Sequence, residues 1–201
     1  MAEFDFLDLL FAPRRAIGVL VAEPPRRWVW AFVLVGGIVD CLARASNRNL
    51  GDHASTTFIV VFSLCAGPVF GFVTVWVFGF LLDVTQFLFK GRASPVALRE
   101  AVAWSFVPSA LRLVLVAAEW LYFGDNLFTS AEIGDEELAM PIVLACGEIF
   151  FGLWRVIMLS KMLAELGGYG SAWKGWLHCL AAGACIVVPL VALLLCFMFM
   201  R

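Results

Sequence analysis

Residues Thr56 to Leu82 read TTFIVVFSLCAGPVFGFVTVWVFGFLL, which is 27 residues without a charged side chain. An α-helix needs about 20 apolar residues to cross the hydrocarbon core of a bilayer, so this stretch can span it with some tilt. The proline within it, Pro68, predicts a kink. Small residues recur at multiples of four positions and predict a face for close helix packing. These are Gly67, Gly71 and Gly79.

The composition of the whole chain is also that of a membrane protein. Of the 201 residues, 63% are hydrophobic and 15% are charged, against about 45–50% and about 25% in soluble domains. A soluble fold could not bury so much apolar surface. The net charge of −2 excludes a broadly basic nucleic-acid-binding protein. The six cysteines lie in apolar runs without C-x-x-C spacing, so we interpret them as small buried residues.

Hydropathy predicts an all-α fold, a polytopic transmembrane helix bundle of about five spans. The expected spans are residues 28–43, 56–82, 106–122, 138–163 and 177–200. They form one membrane domain, residues 28–201, after a cytoplasmic interfacial segment, residues 1–27. The span at 28–43 is the weakest, because it is short and contains Gly36-Gly37 and Asp40. If it did not cross, four spans would remain.

Short amphipathic helices are expected at the N-terminus and before the third span. Phe4, Leu7 and Phe11 follow helical spacing opposite acidic residues, and a second apolar segment covers residues 16–22. A further helix begins at Ser94-Pro95 and reaches Trp104. None of these segments is long enough to cross, so we expect them on the cytoplasmic face of the membrane.

Lysine and arginine are concentrated on the side that holds the N-terminus. Nine lie there: Arg14, Arg15, Arg26, Arg27, Lys90, Arg92, Arg99, Lys161 and Lys174. Only Arg44, Arg48 and Arg201 fall on the opposite side. Because cytoplasmic loops carry the excess of basic residues, we expect the N-terminus inside and the C-terminus outside.

Five ionisable residues fall within the expected spans, where each normally needs a partner or water. They are Asp40, Arg112, Glu119, Glu148 and Arg155. A seven-residue spacing places each Arg–Glu pair on one helix face, and antiparallel spans would place the two arginines at one depth. The two glutamates would lie at another depth, farther from the cytoplasm, and Asp40 at roughly the same depth as the glutamates. Such a cluster is either a proton relay or cation site, or interhelical ion pairing that fixes the packing, and we favour the ion pairing.

The sequence offers no pattern of an enzyme. Serines lack a Ser-His-Asp context, no glycine loop suits a phosphate, and the two histidines, His53 and His178, lack metal spacing. We therefore expect no catalytic residue, no metal and no cofactor.

Several short motifs together resemble the Yip family of small membrane proteins, named for interaction with Ypt/Rab GTPases. Leu9-Leu10-Phe11-Ala12-Pro13-Arg14-Arg15-Ala16 resembles the start of prokaryotic members. Ala66-Gly67-Pro68 resembles the glycine-proline of the family's membrane domain, and Ser105-Phe106-Val107-Pro108-Ser109 resembles the opening of its third span. Leu64 departs from the eukaryotic pattern, which has an acidic residue shortly before glycine-proline, so Rab binding is not carried over.

The resemblance implies a non-enzymatic role in membrane organisation or partner binding, in the inner membrane of a bacterium. The partner surface would comprise Phe4, Leu7 and Phe11, and the partner would be another protein or a second copy of the chain. Two alternatives stay open. One is an ion or proton transporter that uses the intramembrane carboxylates, and the other is an accessory subunit of a larger membrane complex.

Overall fold

The computed structural model describes residues 6–22, 26–130 and 139–199, and all regular structure in these ranges is helical. The α-helices found there are α1 (Phe6–Phe11), α2 (Pro13–Ala22), α3 (Arg26–Asn47), α4 (Thr56–Thr85), α5 (Pro95–Trp104), α6 (Phe106–Leu111), α7 (Leu113–Phe123), α8 (Ala139–Leu166) and α9 (Ala172–Phe199). Short 3-10 helices, Leu50–Asp52, Gln86–Phe89 and Gly124–Phe128, follow α3, α4 and α7. The all-α prediction is confirmed for these ranges.

Four helical stretches in the described ranges are long and apolar enough to cross a membrane, which fits an integral membrane protein. They are Trp28–Asn47, Thr56–Phe89, Pro95–Phe128 and Ala139–Leu166. The first contains the span that hydropathy left weakest, and it has 20 residues with a mean hydropathy of 1.6. The last helix, α9, is 28 residues long.

Helix ends differ from the hydropathy boundaries where hydrogen bonding continues past the apolar run. The helix α3 continues beyond Ala43 to Asn47, because polar residues can extend a helix into the headgroup region. The helix α4 continues on both sides of Pro68. Ahead of the expected third span, the helical path is interrupted at Ser105. Pro108 explains that interruption, since it has no N–H to donate to the Trp104 carbonyl.

Backbone contacts divide the chain into two compact units. Unit 1 comprises Met1–Pro24, Val75–Val102 and Ile157–Arg201, and unit 2 comprises Pro25–Thr74 and Ala103–Val156.

Within unit 1, a buried histidine joins three segments. His178 Nε2 lies 2.9 Å from the carbonyl oxygen of Leu82, and Nδ1 lies 3.1 Å from the Tyr169 hydroxyl. Because a carbonyl only accepts, Nε2 donates and Nδ1 accepts from Tyr169. Burial, followed by the neighbouring Cys179, raises the pKa of the Tyr169 hydroxyl above its usual value. The tyrosine therefore stays a donor, and α9 is held to the end of α4.

Within unit 2, an apolar cluster lies beside the α3–α4 connection. Its buried members are Ala45, Ile59, Leu127 and Phe128. The Ser46 hydroxyl donates to the Leu127 carbonyl oxygen at 2.8 Å. The Ser130 amide donates to the Asp52 carboxylate at 3.0 Å, and this bond lowers the pKa of Asp52. These polar contacts fix the short connection over the cluster.

Candidate functional site

Three charged side chains from different helices meet in unit 2. Asp40 of α3 is the shared anion: Oδ2 lies 2.6 Å from Arg155 Nη1, and Oδ1 lies 3.8 Å from Arg112 Nη1. The three side chains are between 11% and 22% exposed. Removing charges from water is costly unless opposite charges meet. Asp40 therefore compensates two arginines at once.

Arg155 of α8 is held by three groups of different chemistry. Besides the Asp40 carboxylate, its Nη1 donates to Ser109 Oγ at 3.0 Å. Its guanidinium carbon also lies 4.0 Å from the centre of the Phe106 ring. A planar guanidinium can stack on a ring while its edge donates hydrogen bonds, which an ammonium group cannot do equally well. Arg155 thus links α8 to both α3 and α6.

Arg112 lies at the junction of α6 and α7, where the regular helix is interrupted. Its Nε is 2.8 Å from Glu148 Oε1, although the two atoms are not aligned as a hydrogen bond. Its Nη2 donates to the Val39 carbonyl at 3.4 Å. Arg112 therefore completes a chain of contacts that runs from Glu148 through Arg112 and Asp40 to Arg155.

Glu119 is the one predicted member that forms no ion pair within the described residues, although its side chain is partly buried on α7. The other four predicted residues are brought together. Spacing placed Asp40 at roughly the depth of the glutamates, and its carboxylate pairs with the two arginines. A long arginine side chain can reach a carboxylate at another depth.

The charges of the connected residues balance, with two arginines against Asp40 and Glu148. A space of about 10 Å³ beside Asp40 is lined also by Gly37, Gly71 and Phe106, and it has about the size of one water molecule. Within the described part of the chain, no group of three or more His, Cys, Asp or Glu is placed to hold a metal ion. The arrangement of these four charges is therefore that of ion pairs that hold neighbouring helices of unit 2 together.

The packing glycines fall into two sets. A Cβ added at Gly67 would lie 2.5 Å from the Ile38 Cα, and one at Gly71 would lie 2.5 Å from the Val33 carbonyl oxygen. These two glycines therefore allow α4 to approach α3 backbone to backbone. Gly79 lies instead against Arg99, where a Cβ would be 2.5 Å from that side chain's Cγ. The shared four-residue spacing thus serves two different neighbours.

Two features of the structure differ from what the residue pattern indicates. The role of His178 has no signal in the sequence, since an isolated histidine in an apolar helix has no pattern to match. The prediction of buried cysteines is wrong for Cys65, Cys146, Cys185 and Cys196, which are exposed on the protein surface, while Cys41 and Cys179 are partly buried. A small apolar thiol needs no protein cover where the solvent itself is hydrocarbon.

The N-terminal helices of unit 1 were predicted to carry a partner surface. Phe4 lies outside the described residues, and the Leu7 side chain is likewise not described. Phe11 is 73% exposed. Other apolar residues of α1 and α2 are fully buried, namely Leu9, Ala16, Ile17 and Leu20. Among the described side chains of this helix pair, Phe11 is therefore exposed opposite a buried apolar side.

This helix pair is anchored by a charged contact. Arg14 Nη2 donates to the Tyr169 carbonyl at 3.3 Å, and Arg14 Nε lies 3.6 Å from the Glu165 carboxylate. Both partners lie where α8 passes into the turn before α9.

No protein-family model, no curated protein and no solved structure matches this chain.

Proposed function

We propose that this chain is a non-enzymatic integral membrane protein of the Yip type, which holds a protein partner at its cytoplasmic surface. Its place would be the inner membrane of a bacterium, with five spans, the N-terminus inside and the C-terminus outside. The observation that carries the proposal is the anchored helix pair α1–α2. One side of this pair is buried, and the other presents the aromatic ring of Phe11.

The geometry favours a binding element over a loose tail. Four buried apolar residues form one side of the pair, and Arg14 ties it to the end of α8 and the following turn by two contacts. A held helix loses less conformational entropy on binding than a disordered segment does. An exposed aromatic ring on such a base is the kind of residue that anchors protein interfaces.

Five spans follow from adding α9 to the four apolar stretches. The sequence of α9 is apolar for almost its whole length, and 28 residues are more than a bilayer requires. An odd number of spans also agrees with the distribution of lysine and arginine, which separates the two termini.

A cysteine accessibility experiment tests this topology. Cysteine replaces Asn47, the exposed last residue of α3, in a chain whose native cysteines are changed to alanine. We expect labelling by a membrane-impermeant maleimide from the outside. The matched control is Arg15→Cys, at an exposed position of α2 ahead of the first span, which should react only after the cytoplasmic side is opened. Labelling of both positions from the same side would remove the first span.

Affinity purification in mild detergent tests the partner role. We expect a second protein to co-elute with the wild type in fixed ratio, and Phe11→Ala to reduce its recovery. Burying a Phe side chain contributes about 1.5–3 kcal/mol, so the loss should be roughly tenfold to a hundredfold. The control is Phe87→Ala, an equally large aromatic that is 70% exposed on the 3-10 helix after α4.

Recovery of only a monomer or a self-oligomer with the wild type would contradict the partner role, and would also count against an accessory subunit. Transport is the weaker candidate, because four of the five intramembrane charges pair with one another. The observation that favours transport is Glu119, whose partly buried carboxylate forms no ion pair within the described residues. Proton or cation flux into liposomes that Glu119→Gln abolishes would favour the transporter over the partner-binding protein.

A further inference from the structure

A cavity of about 330 Å³ lies in unit 2 between the end of α3 and the first half of α4. Its walls are formed by Cys41, Arg44, Ala45, Arg48, Leu50, His53, Ala54, Phe58, Ile59, Phe62, Ser63 and Phe70. The volume falls within the range of about 300–1,000 Å³ that is typical of ligand sites. Neither the charge cluster nor the N-terminal helix pair uses this space.

The two ends of the cavity differ in chemistry. Along α4 the wall is aromatic and aliphatic, from Phe58 through Phe62 to Phe70. The twelve steps from Phe58 to Phe70 correspond to about 18 Å of helix, which is close to the depth of one leaflet of an approximately 30 Å hydrocarbon core. The apolar wall is therefore long enough to line one leaflet.

The outer end of the cavity is basic. Arg44 lies in the last turn of α3, Arg48 follows directly after the end of that helix, and both line the cavity. His53 joins them from the connection to α4. In the described part of the chain, neither arginine takes part in an ion pair, and no carboxylate is among the residues of the cavity wall. This contrasts with Arg112 and Arg155, whose charges are compensated.

We infer that this cavity binds an anionic phospholipid. Its phosphate lies between Arg44 and Arg48, and one acyl chain lies along Phe58, Phe62 and Phe70. Arginine suits a phosphate because its fork of donors matches two phosphate oxygens. Basic residues beside transmembrane helices attract anionic lipid headgroups, and each one adds to the free energy of binding when it lies near the membrane surface. An apolar wall one leaflet deep fits an acyl chain better than it fits a small soluble anion.

Lipid titration of the purified full-length protein tests this assignment. The protein in mild detergent is titrated with dioleoylphosphatidylglycerol, dioleoylphosphatidylcholine or oleate. Bound lipid is counted by native mass spectrometry, and the thermal midpoint is followed in parallel, since a ligand of the folded state raises it. We expect phosphatidylglycerol to bind at least tenfold more tightly than phosphatidylcholine, whose choline cation cancels the phosphate charge and is repelled by the two arginines. Oleate should compete only weakly, because it lacks the phosphate.

Two variants separate the charged end of the site from its apolar wall. Arg44→Gln/Arg48→Gln should weaken phosphatidylglycerol binding at least tenfold and phosphatidylcholine binding much less, so that the preference between the two lipids is lost. Both arginines are exposed, so the fold is retained. Ala54→Phe fills the apolar space and should weaken binding without changing any charge. The control, Arg15→Gln/Arg92→Gln, removes the same charge from exposed positions elsewhere and should alter the affinity by less than twofold.

The assignment would be overturned if phosphatidylglycerol and phosphatidylcholine bound equally, or if the cavity and control arginine pairs behaved alike. Binding of oleate without phospholipid would also overturn it, in favour of a fatty-acid site. If Ala54→Phe proves unstable, the comparison of the two arginine double variants decides the question alone.

Discussion

Replacing Asp40 with alanine is expected to destabilise the folded protein by about 3 kcal/mol, the lower end of the range for breaking a buried ion pair. The lower end applies because the side chains of Asp40 and Arg155 are still 18% and 22% exposed. Without Asp40, Arg155 keeps only Ser109 and the Phe106 ring. Arg112 keeps Glu148. Two cations from different helices would then face each other without their shared anion.

The measurement is the free energy of unfolding in mild detergent, from denaturant titration followed by helical circular dichroism. Glu119→Ala is the matched control, since it removes an intramembrane carboxylate that makes no ion pair within the described residues. It should cost less than about 1 kcal/mol, as expected where no network is broken. Equal losses in the free energy of unfolding for the two substitutions would mean that the ion pairs of Asp40 do not stabilise the fold.

A double variant distinguishes the energy of the Asp40–Arg155 contact from the effect of losing either residue alone. In Asp40→Ala/Arg155→Ala neither charge is left uncompensated, so part of the loss should be recovered. We expect a coupling energy of about 1–3 kcal/mol between the two positions. Additive effects would show that the 2.6 Å contact between them has no energetic weight.

The sequence predicted the helical elements well because long apolar runs have few alternatives. The stretch from Thr56 to Leu82 lies wholly inside α4, and the helix expected from Ser94-Pro95 to Trp104 is α5. The reason is local: in hydrocarbon, a backbone must satisfy its own hydrogen bonds. Each such segment therefore specifies its own structure, without reference to its neighbours.

Contacts between helices were less predictable, because they depend on rotation and on side-chain reach. Spacing placed Arg112 and Glu119 on one helix face, yet Arg112 pairs with Glu148 of another helix. The low hydropathy of the first span comes partly from two glycines, and hydropathy does not show that these glycines serve helix packing. Gly36 and Gly37 lower hydropathy, but they lie where neighbouring helices approach closely. A Cβ at Gly36 would come within 3.2 Å of Ser109 Cβ.

Gly67→Ala is expected to destabilise the protein by about 3 kcal/mol, although it adds only one methyl group. The new Cβ would lie 2.5 Å from the Ile38 Cα and 2.8 Å from the Ile38 amide nitrogen. Both are backbone atoms, so no side-chain rotation can relieve the overlap, and α3 and α4 must separate. Overpacking of a tight interface typically costs about 1–3 kcal/mol, and the upper end applies where backbone must move.

The control is Gly152→Ala on α8, where an added Cβ would meet nothing within 4 Å. Alanine favours the helix over glycine by about 1 kcal/mol, so this variant should be neutral or slightly more stable. In the same unfolding titration, replacement of glycine by alanine should lower the free energy of unfolding at Gly67 and leave it equal or slightly higher at Gly152. Destabilisation by similar amounts at both positions would contradict the close approach of α3 and α4.

The two substitutions with the largest effects should also interact. Gly67 contacts Ile38, two residues before Asp40, so separating α3 from α4 moves the segment that carries the shared carboxylate. Once Gly67→Ala has displaced α3, the contact between Asp40 and Arg155 is already weakened, and Asp40→Ala has less to remove. The double variant should therefore lose less stability than the sum of the two single losses. Strict additivity would mean that the charge cluster holds its geometry independently of the glycine packing.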